Sequence, residues 1–334
     1  MMRFYITGGT GFIGRELTKK ITGQGYPVHL LVRSAGKAVG LDTNLVSLFK
    51  GDLSDVAAVE RSMQGCTHVF HLAAYARPYA MDPSLFDRIN VKGTQHVLEA
   101  AFKLGIKKVV FTSTAGTLAA TGPDNDASED SPMPGEQNTG YARTKALAEQ
   151  RCKEYVQKGL DVTIVSPTRV FGPGVLSKSN AVTRIIWGYK KGRWRIIPGN
   201  GKAFGNYVYV TDVVDGHLKA MHKGRMGEKY ILGGNNVSFN GLFETIASVT
   251  GRKRILVRIP APLLQMASFV FVALARLTKK PALISPGWIG QYLQHRRLSS
   301  DKAVRELGYT VTPLRKGIEN TLKWLDENEF PDSD

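Results

Sequence analysis

The chain has 334 residues, of which 43% are hydrophobic and 22% are charged. A chain of this composition can bury a full core, so it is neither intrinsically disordered nor collagen-like, and its two cysteines are too few for a disulfide framework or a cysteine-rich zinc site. The 45 Lys and Arg residues exceed the 28 Asp and Glu residues by 17. This excess favours an anionic ligand or surface, and since no nucleic-acid-binding module accompanies it, we expect no nucleic acid partner.

The first half of the chain alternates strand patterns with helix patterns. Apolar strands are predicted at residues 3–7, 28–32, 45–49, 68–72, 107–112 and 161–165, and helices at 14–22, 86–104 and 141–158. Such alternation is typical of βαβ units, so the predicted fold class is α/β: a Rossmann-type doubly wound parallel sheet with a smaller C-terminal substrate lobe. Glycines follow the first short strand directly, which does not indicate a signal peptide, and we expect a cytoplasmic protein.

The pattern changes after residue 170. We expect residues 1–170 to form a dinucleotide-binding domain and residues 171–334 to form the smaller substrate-binding lobe. Residues 206–233 contain a strand pattern at 206–210 and a helix pattern at 212–222, and we expect this stretch to return to the first domain.

An apolar segment covers residues 263–277. It is too short and too polar to span a bilayer. Leu264, Phe271 and Leu274 fall on one helical stripe, which favours a core-facing helix over a peripheral membrane contact.

A glycine-rich loop separates the first strand from the first helix. Its sequence TGGTGFIG at residues 7–14 has the spacing G-x-x-G-x-x-G. Without side chains the backbone can approach a pyrophosphate, and the helix N-terminus offers N–H groups to the phosphates. The order strand, glycines, helix therefore predicts a dinucleotide site. The loop residues expected to bind the cofactor are Gly8, Thr10, Gly11, Phe12, Ile13 and Gly14.

The residue after the second strand distinguishes the two nicotinamide cofactors. An acidic residue there would bind the ribose 2′-hydroxyl of NAD, but this chain has Arg33, with Lys37 nearby. A cation fits a 2′-phosphate, so we expect NADP(H) rather than NAD(H). The alternative is that Arg33 is a solvated residue at the end of a strand.

Asp52 and Leu53 follow the third strand. The carboxylate could accept a hydrogen bond from the adenine amino group while Leu53 packs on the ring. An equally good interpretation is that Asp52 is the N-cap of the next helix.

Tyr141 and Lys145 lie four residues apart on a predicted helix and therefore share a face. This helix follows the fifth strand, near the carboxyl edge of the sheet where α/β proteins bind ligands. Lys145 could hold the nicotinamide ribose and lower the pKa of Tyr141, which would then act as a general acid/base near neutral pH.

Three hydroxyl residues stand in a row at the end of the fifth strand, namely Thr112, Ser113 and Thr114. A hydroxyl at this position can hydrogen-bond the substrate oxygen while Tyr141 transfers its proton. The spacing alone does not select one of the three.

With these motifs the chain resembles the extended short-chain dehydrogenases/reductases of the NAD-dependent epimerase/dehydratase group. The matching segments are residues 7–14, 52–53, 71–74, 90–94, 111–116, 141–145, 167–174 and 207–212. Residues 111–117 and 141–150 are most similar to dihydroflavonol-4-reductase-like and 3β-hydroxysteroid-dehydrogenase-like members.

The resemblance implies roles for residues that spacing alone does not assign. It implies that Tyr141 is the general acid/base, that Lys145 is its partner, and that Thr114, with Ser113 beside it, is the catalytic hydroxyl. The further cofactor contacts that it implies are Leu72, Ala73, Ala74, Asn90, Thr112, Pro167, Thr168 and Val170. Position after strand ends places a substrate pocket at Tyr75, Arg77, Phe171, Asn180 and Phe204.

The leading hypothesis is an NADP(H)-dependent oxidoreductase that acts on a small-molecule ketone or secondary alcohol. Nucleotide-sugar enzymes of the group usually carry Arg-Asp where this chain has Gly205 and Asn206, so such a substrate would need Arg184, Arg193 or Arg195 as a substitute. Two alternatives stay open: a nucleotide-sugar or lipid-linked sugar epimerase or dehydratase that retains its cofactor, and a non-catalytic NADP(H)-binding sensor. A homodimer is compatible with all three hypotheses.

Overall fold

The structure is a computed structural model, and it describes residues 2–132, 139–175, 180–280, 282 and 284–328. The strands in this part of the chain are β1 (Phe4–Thr7), β2 (Val28–Val32), β3 (Val46–Lys50), β4 (His68–His71), β5 (Lys108–Thr112), β6 (Val162–Pro167), β7 (Arg169–Phe171), β8 (Ile196–Pro198), β9 (Phe204–Tyr209), β10 (Lys229–Leu232), β11 (Asn235–Ser238) and β12 (Val257–Ile259). The helices are α1 (Phe12–Gly23), α2 (Val56–Met63), α3 (Ser84–Phe86), α4 (Gly93–Lys103), α5 (Gly140–Gln157), α6 (Ala181–Lys191), α7 (Val210–Lys223), α8 (Phe239–Thr250), α9 (Ala261–Thr278), α10 (Pro286–Leu293), α11 (Asp301–Leu307) and α12 (Leu314–Glu327).

A parallel sheet of seven strands forms the centre of the fold, in the order β10-β6-β5-β4-β1-β2-β3. Helices α1, α7 and α11 pack together on one face, and α2, α4 and α5 pack together on the other. Strands β1, β5 and β6 are buried along their whole length, because helices cover both faces of the sheet. This architecture confirms the predicted fold class.

The second half of the chain adds two small sheets. One has the order β11-β9-β7 and the other pairs β12 with β8. Helices α6, α8 and α12 pack around the first of them, on a core that includes Tyr189, Tyr207 and Ile318. The same half also returns α7 and β10 to the large sheet, where β10 pairs with β6.

The segment predicted as one helix at 86–104 has a more complex form. Helix α3 leads into a π-helical turn at Asp87–Lys92, and α4 continues from it. The wider turn carries Asn90, which is fully buried and donates a hydrogen bond from Nδ2 to Thr144 Oγ1 at 2.9 Å. An inserted π turn is a local means of directing one side chain inward, here toward α5.

Helix α9 does not face the core with the predicted stripe. Leu264 is buried, but Phe271 is 38% exposed and Leu274 is 47% exposed. The protein-facing positions of α9 are instead Leu264, Ser268 and Ala275. The prediction of a core-facing helix is therefore wrong, because α9 turns its small residues inward and most of its large ones outward. The expectation that this segment is too short and too polar to span a bilayer is also wrong, since the helix Ala261–Thr278 is long and apolar enough to cross one by length and composition.

Candidate active site

The glycine loop makes a cradle that leaves no room for side chains. Gly8 has a φ of +73°, and a Cβ on it would lie 2.7 Å from the backbone nitrogen of Ala73. A Cβ on Gly14 would lie 2.2 Å from the carbonyl oxygen of Gly8. Helix α1 begins at Phe12 and has Gly11 as its N-cap, so the N–H groups of its first turn have no side-chain cap. These features fit a dinucleotide, whose pyrophosphate such a helix start can bind.

The remaining loop residues divide between surface and core. Thr10 and Ile13 are half-buried, and Phe12 is buried beside Gly174. Because its ring packs within the protein, Phe12 is placed to meet a cofactor through its backbone rather than its side chain.

A buried hydrogen-bond chain connects the glycine loop to α5. His71 Nδ1 lies 2.6 Å from Thr7 Oγ1, and His71 Nε2 lies 2.9 Å from Thr94 Oγ1. Since Thr94 Oγ1 donates to the carbonyl oxygen of Asn90, His71 carries its proton on Nε2 and accepts from Thr7. Burial, with a smaller effect of the Lys145 charge, lowers the pKa of His71 to about 3, so the ring is neutral.

Asn90 continues this chain, and both ends of its amide bond to the protein. Its Oδ1 accepts from the backbone nitrogen of Tyr75 at 2.7 Å, and its Nδ2 donates to Thr144. These bonds hold the strand-end segment and α5 together, and the expectation that Asn90 contacts the cofactor stays a prediction. That segment, with Leu72, Ala73 and Ala74, is half-buried and lies against Gly8.

Arg33, Lys37 and Asp52 are the residues expected near the adenosine part of the cofactor. Arg33 is exposed immediately after β2, and the side chain of Lys37 lies outside the described residues. Asp52 Oδ1 accepts from the backbone nitrogen of Ser54 at 3.0 Å, whereas the N-cap of α2 is Asp55. The interpretation of Asp52 as that cap is thus wrong.

Leu53, the residue expected to pack on the adenine ring, lies within the protein in the ligand-free chain. It is buried, and a Cβ on Gly93 would lie 2.9 Å from the Cβ of Leu53. Its carbonyl oxygen is bound to His96 Nδ1 at 2.7 Å. The side chain packs against the start of α4, and its expected packing on adenine stays a prediction.

Tyr141 and Lys145 lie in the first two turns of α5. Thr139 caps this helix, since its side chain accepts from the backbone nitrogen of Ala142 at 3.1 Å. Lys145 is 1% exposed, and its Nζ lies 3.9 Å from the centroid of the Phe111 ring. In the part of the chain that the structure describes, this ammonium forms no ion pair.

Burial dominates the titration of both groups. It lowers the pKa of Lys145 to about 7 and raises the pKa of Tyr141 to about 12. In the cofactor-free chain burial raises the pKa of Tyr141, so the expected lowering of that pKa by Lys145 is not seen there.

The three candidate hydroxyls have different partners. Thr112 Oγ1 lies 2.9 Å from His217 Nε2 and donates to it, since His217 Nδ1 is bound to the carbonyl oxygen of Val213. Ser113 donates to the carboxylate of Glu149. Thr114 is half-buried, and its Oγ1 accepts from the backbone nitrogen of Gly116 at 3.1 Å.

Thr114 lies close to the start of α5. A Cβ on Gly116 would lie 3.3 Å from Thr114 Oγ1 and 3.9 Å from the Cβ of Ala142, which follows Tyr141. Among the described residues, Thr114 is also the one candidate whose hydroxyl hydrogen is not donated to another side chain.

Residues 4–233 match the NAD dependent epimerase/dehydratase family. The chain belongs to this family. It is 31% identical over 340 residues to a putative dihydroflavonol 4-reductase of Synechocystis sp., covering 98% of this chain and 95% of that protein. It is also 31% identical over 332 residues to sterol demethylase protein B of Methylococcus capsulatus, covering 98% and 99% of the two chains. The fold matches the UDP-glucose 4-epimerase of Thermotoga maritima with a TM-score of 0.81, at 24% identity and 98% and 99% coverage.

Membership of the family confirms the resemblance drawn from the motifs. The protein is an NAD(P)-dependent enzyme of the extended short-chain dehydrogenase/reductase type. Its glycine cradle, its Tyr141 and Lys145 on α5 and its hydroxyl segment after β5 are the parts of the fold in which the family's chemistry would take place.

The predicted nicotinamide and substrate residues include two unsatisfied polar groups. Pro167 is buried and paired with Leu232, and Val170 is half-buried against the core. Thr168 Oγ1 is buried, and no described residue bonds to it. Asn180 is fully buried, and neither atom of its amide has a hydrogen-bond partner in the described ranges. An unsatisfied buried amide is costly, which is typical of a group that binds a ligand.

The other predicted substrate residues divide into core and surface. Phe171 is buried in a core cluster and packs on Tyr209, so its expected place in a substrate pocket is corrected. Tyr75 is half-buried with its ring edge-on to Phe86, and Arg77 is exposed. Phe204 lines a cavity of about 890 Å³.

Two arginines that the sequence analysis did not select reach into the fold. Arg169 donates to the phenol oxygen of Tyr207 at 3.1 Å and lies 4.7 Å from the centroid of the Tyr292 ring. Arg296 donates to the carbonyl oxygen of Leu118 at 3.2 Å, and its buried Nε has no partner among the described residues. Burial and the charge of Arg169 lower the pKa of Arg296 to about 10.

These two guanidinium groups are close enough to influence each other, and within the described ranges neither pairs with a carboxylate. Arg169 and Arg296 are half-buried. The arginines suggested by the sequence analysis are exposed, namely Arg184, Arg193 and Arg195. A signal in the sequence was the position of Arg169 two residues after the end of β6, at the carboxyl edge of the sheet where α/β proteins bind ligands.

Proposed function

We propose that the protein is an NADP(H)-dependent oxidoreductase that interconverts a ketone and a secondary alcohol. The observation that carries this proposal is the position of half-buried Tyr141 and buried Lys145 at the start of α5, close to the hydroxyl segment after β5. Among the described residues of that segment, Thr114 is the one whose hydroxyl hydrogen is not donated to another side chain. The two relatives compared above are named as a reductase and as a sterol demethylase protein, which supports a carbonyl or alcohol substrate.

The chemistry that a bound nicotinamide would supply is hydride transfer to or from a carbonyl carbon. Tyr141 would donate a proton to the substrate oxygen as negative charge develops on it. With a pKa of about 12 the phenol holds its proton at neutral pH, which suits the direction of reduction. Thr114 would donate a hydrogen bond to the same oxygen, and Lys145 would hold the ribose.

The preference for NADP(H) rests on Arg33, which is exposed directly after β2. A guanidinium there can bind the 2′-phosphate that distinguishes the two cofactors. Titration of wild type and Arg33→Asp with NADPH and NADH tests this preference, with Arg61→Asp on the exposed side of α2 as the control. We expect Arg33→Asp to weaken NADPH binding about tenfold or more and to spare NADH. Equal affinities of wild type for both cofactors would contradict the preference.

A panel of ketones, sterols and nucleotide sugars tests the reaction. Wild type should convert one class of ketone with one NADPH consumed per alcohol formed. Conversion of a sugar without net cofactor consumption would instead support the epimerase or dehydratase alternative, in which the cofactor is regenerated at each turnover.

One structural observation supports a test of the nucleotide-sugar epimerase or dehydratase alternative. Nucleotide-sugar enzymes usually carry an arginine where this chain has Gly205, and a Cβ on Gly205 would lie 2.2 Å from Nη1 of Arg169. The guanidinium of Arg169 therefore fills space beside Gly205, and with Arg296 it offers positive charge to an anionic substrate group. If the substrate is anionic, Arg296→Gln should raise KM by about tenfold with little change in kcat. An unchanged KM would exclude this use of Arg296.

A further inference from the structure

Helix α9 presents a large apolar face to solvent. Leu277 is 80% exposed and Phe269 is 64% exposed. Further exposed apolar side chains on the same helix are Leu263, Met266, Val270 and Leu274. A monomeric soluble protein rarely exposes so continuous an apolar surface unless it is an interaction site.

The inward positions of α9 explain why the apolar face points outward. Leu264, Ser268 and Ala275 are the buried residues of the helix, which packs against α10. These three residues form one stripe along the helix, because Ser268 follows Leu264 by four positions and Ala275 follows Ser268 by seven. This inner stripe is mostly small, so the helix can lie close to the protein while its larger side chains stay outside.

Positive charge surrounds this face, and negative charge is missing from the sequence near it. Residues 245–300 contain no Asp or Glu. The Lys and Arg residues of the same stretch are Arg252, Lys253, Arg254, Arg258, Arg276, Lys279, Lys280, Arg296 and Arg297. Arg258 before the helix, Arg276 in its last turn and Lys279 after it are exposed, so cations lie at both ends of the apolar face.

We propose that α9 and its basic flanks form a monotopic contact with an anionic lipid bilayer. The apolar side chains would enter the acyl boundary while the lysines and arginines bind lipid phosphates. The charge complementarity selects a lipid surface over a second copy of this chain, because two copies would bring their cation-rich segments together. The helix lies on the membrane and does not cross it, since one side of it is packed against the protein.

The contact would have a consequence for the cavity beside it. Arg258, Pro260 and Ala261, at the start of α9, line the same cavity as Phe204. A bilayer bound along α9 would therefore lie next to this cavity. The membrane proposal does not depend on the proposed reaction, and its test needs no turnover.

Vesicle flotation of the full chain tests the contact directly. The probes are vesicles of phosphatidylcholine alone and vesicles that also contain phosphatidylglycerol. The test variants are Phe269→Glu/Leu277→Glu, which alters the apolar face, and Lys279→Gln/Lys280→Gln, which alters only exposed charge. The matched control is Phe102→Glu/Val304→Glu, which places the same acid at exposed apolar positions on α4 and α11.

Wild type and the control should float with the anionic vesicles, much less with the neutral ones, and less at high salt. Each test variant should lose about tenfold in partitioning. Thermal unfolding and NADPH binding show which variants are folded. If Phe269→Glu/Leu277→Glu does not fold, Lys279→Gln/Lys280→Gln still provides the test.

The proposal is overturned if wild type does not float with anionic vesicles. It is also overturned if the folded test variants float as well as the control does. Light scattering that shows wild type as an oligomer, with Phe269→Glu/Leu277→Glu as a monomer and no vesicle binding, also overturns it. In that case a second copy covers the face.

Discussion

Ser113 donates its hydroxyl hydrogen to the carboxylate of Glu149. This contact distinguishes Ser113 from its neighbour Thr114, whose hydroxyl oxygen accepts from the backbone nitrogen of Gly116 and, among the described residues, donates to no other side chain. The Ser113 hydroxyl is thus bound within the fold, and Thr114 is the hydroxyl that we propose for the substrate.

Thr114→Val should therefore lower kcat much more than Ser113→Ala. We expect a loss of about 100-fold for Thr114→Val, the magnitude typical of removing one donor to a developing oxyanion. For Ser113→Ala we expect less than about tenfold. Steady-state reduction of the best ketone of the panel provides the comparison. A larger loss for Ser113→Ala would contradict the assignment.

Glu149 joins three elements around the site. It accepts from Ser113 after β5, from Thr117 Oγ1 at 3.3 Å and from Lys229 Nζ of β10 at 3.0 Å, and it lies on α5 with Tyr141. Both members of the pair with Lys229 are largely buried.

Removing this carboxylate should disturb both stability and rate. Glu149→Gln leaves the ammonium of Lys229 buried without its partner, which should cost about 3 kcal/mol in the free energy of unfolding. If Glu149 is a positioning residue, kcat should fall while KM for the ketone changes little. Glu154→Gln, at an exposed position on the same helix, should alter neither quantity. A normal kcat in folded Glu149→Gln would show that the network is structural only.

Gly8 and Gly105 form a matched pair for testing the cradle. Both have positive φ, +73° and +64°, but a Cβ on Gly8 meets Ala73 whereas a Cβ on Gly105 meets nothing within 4 Å. Alanine should cost each site about 1 kcal/mol of backbone strain. Only Gly8→Ala should also weaken NADPH binding, by tenfold or more, because the Ala73 segment must move. Equal effects of the two substitutions on NADPH affinity would contradict the cradle.

The buried ammonium of Lys145 should be visible in the pH dependence of stability. Its pKa is about 7 in the folded, cofactor-free chain and has a reference value of 10.5. Between these values the unfolded chain binds one proton more, so this group makes the free energy of unfolding rise with pH, by about 1.4 kcal/mol per unit. Below pH 7 the penalty for the buried charge is fully present.

Lys145→Met should therefore remove the contribution of Lys145 to the rise of the free energy of unfolding with pH. The Tm of the variant relative to wild type should be highest at pH 7 and should fall toward pH 9, and exposed Lys153→Met should show no such trend. The titratable neighbours of Lys145 are Cys152 and Glu149. Burial raises the pKa of Cys152, so its thiol is neutral between pH 7 and pH 9 and Glu149 supplies the charge that acts on Lys145. A pH-independent difference between Lys145→Met and wild type would mean that Lys145 is charged in the folded chain.

The sequence was sufficient for the features that depend on local pattern. The alternation of apolar strands with helices predicted the parallel sheet, and the glycines at the start of α1 predicted the tight loop. Strand β10 was not predicted as a separate element, because its four residues lack a pattern of their own and it is defined by pairing with β6.

Features that depend on distant partners could not be predicted in this way. The choice between Ser113 and Thr114 depends on Glu149, which lies on another element. The pKa of Tyr141 is raised by burial, which the spacing of Tyr141 and Lys145 in the sequence does not reveal. The outward face of α9 could not be read from its sequence either, because apolar residues occupy most sides of that helix and periodicity then gives no direction.

Transfer of deuterium from NADPH labelled at C4 tests the central claim most directly. For the ketone that wild type reduces, we expect the label on the carbinol carbon of the product, with one NADP⁺ formed per alcohol. Tyr141→Phe should bind NADPH as wild type does but transfer the label at least 100-fold more slowly. Conversion of substrate without net NADP⁺, or an unchanged rate of transfer in Tyr141→Phe, would contradict the account.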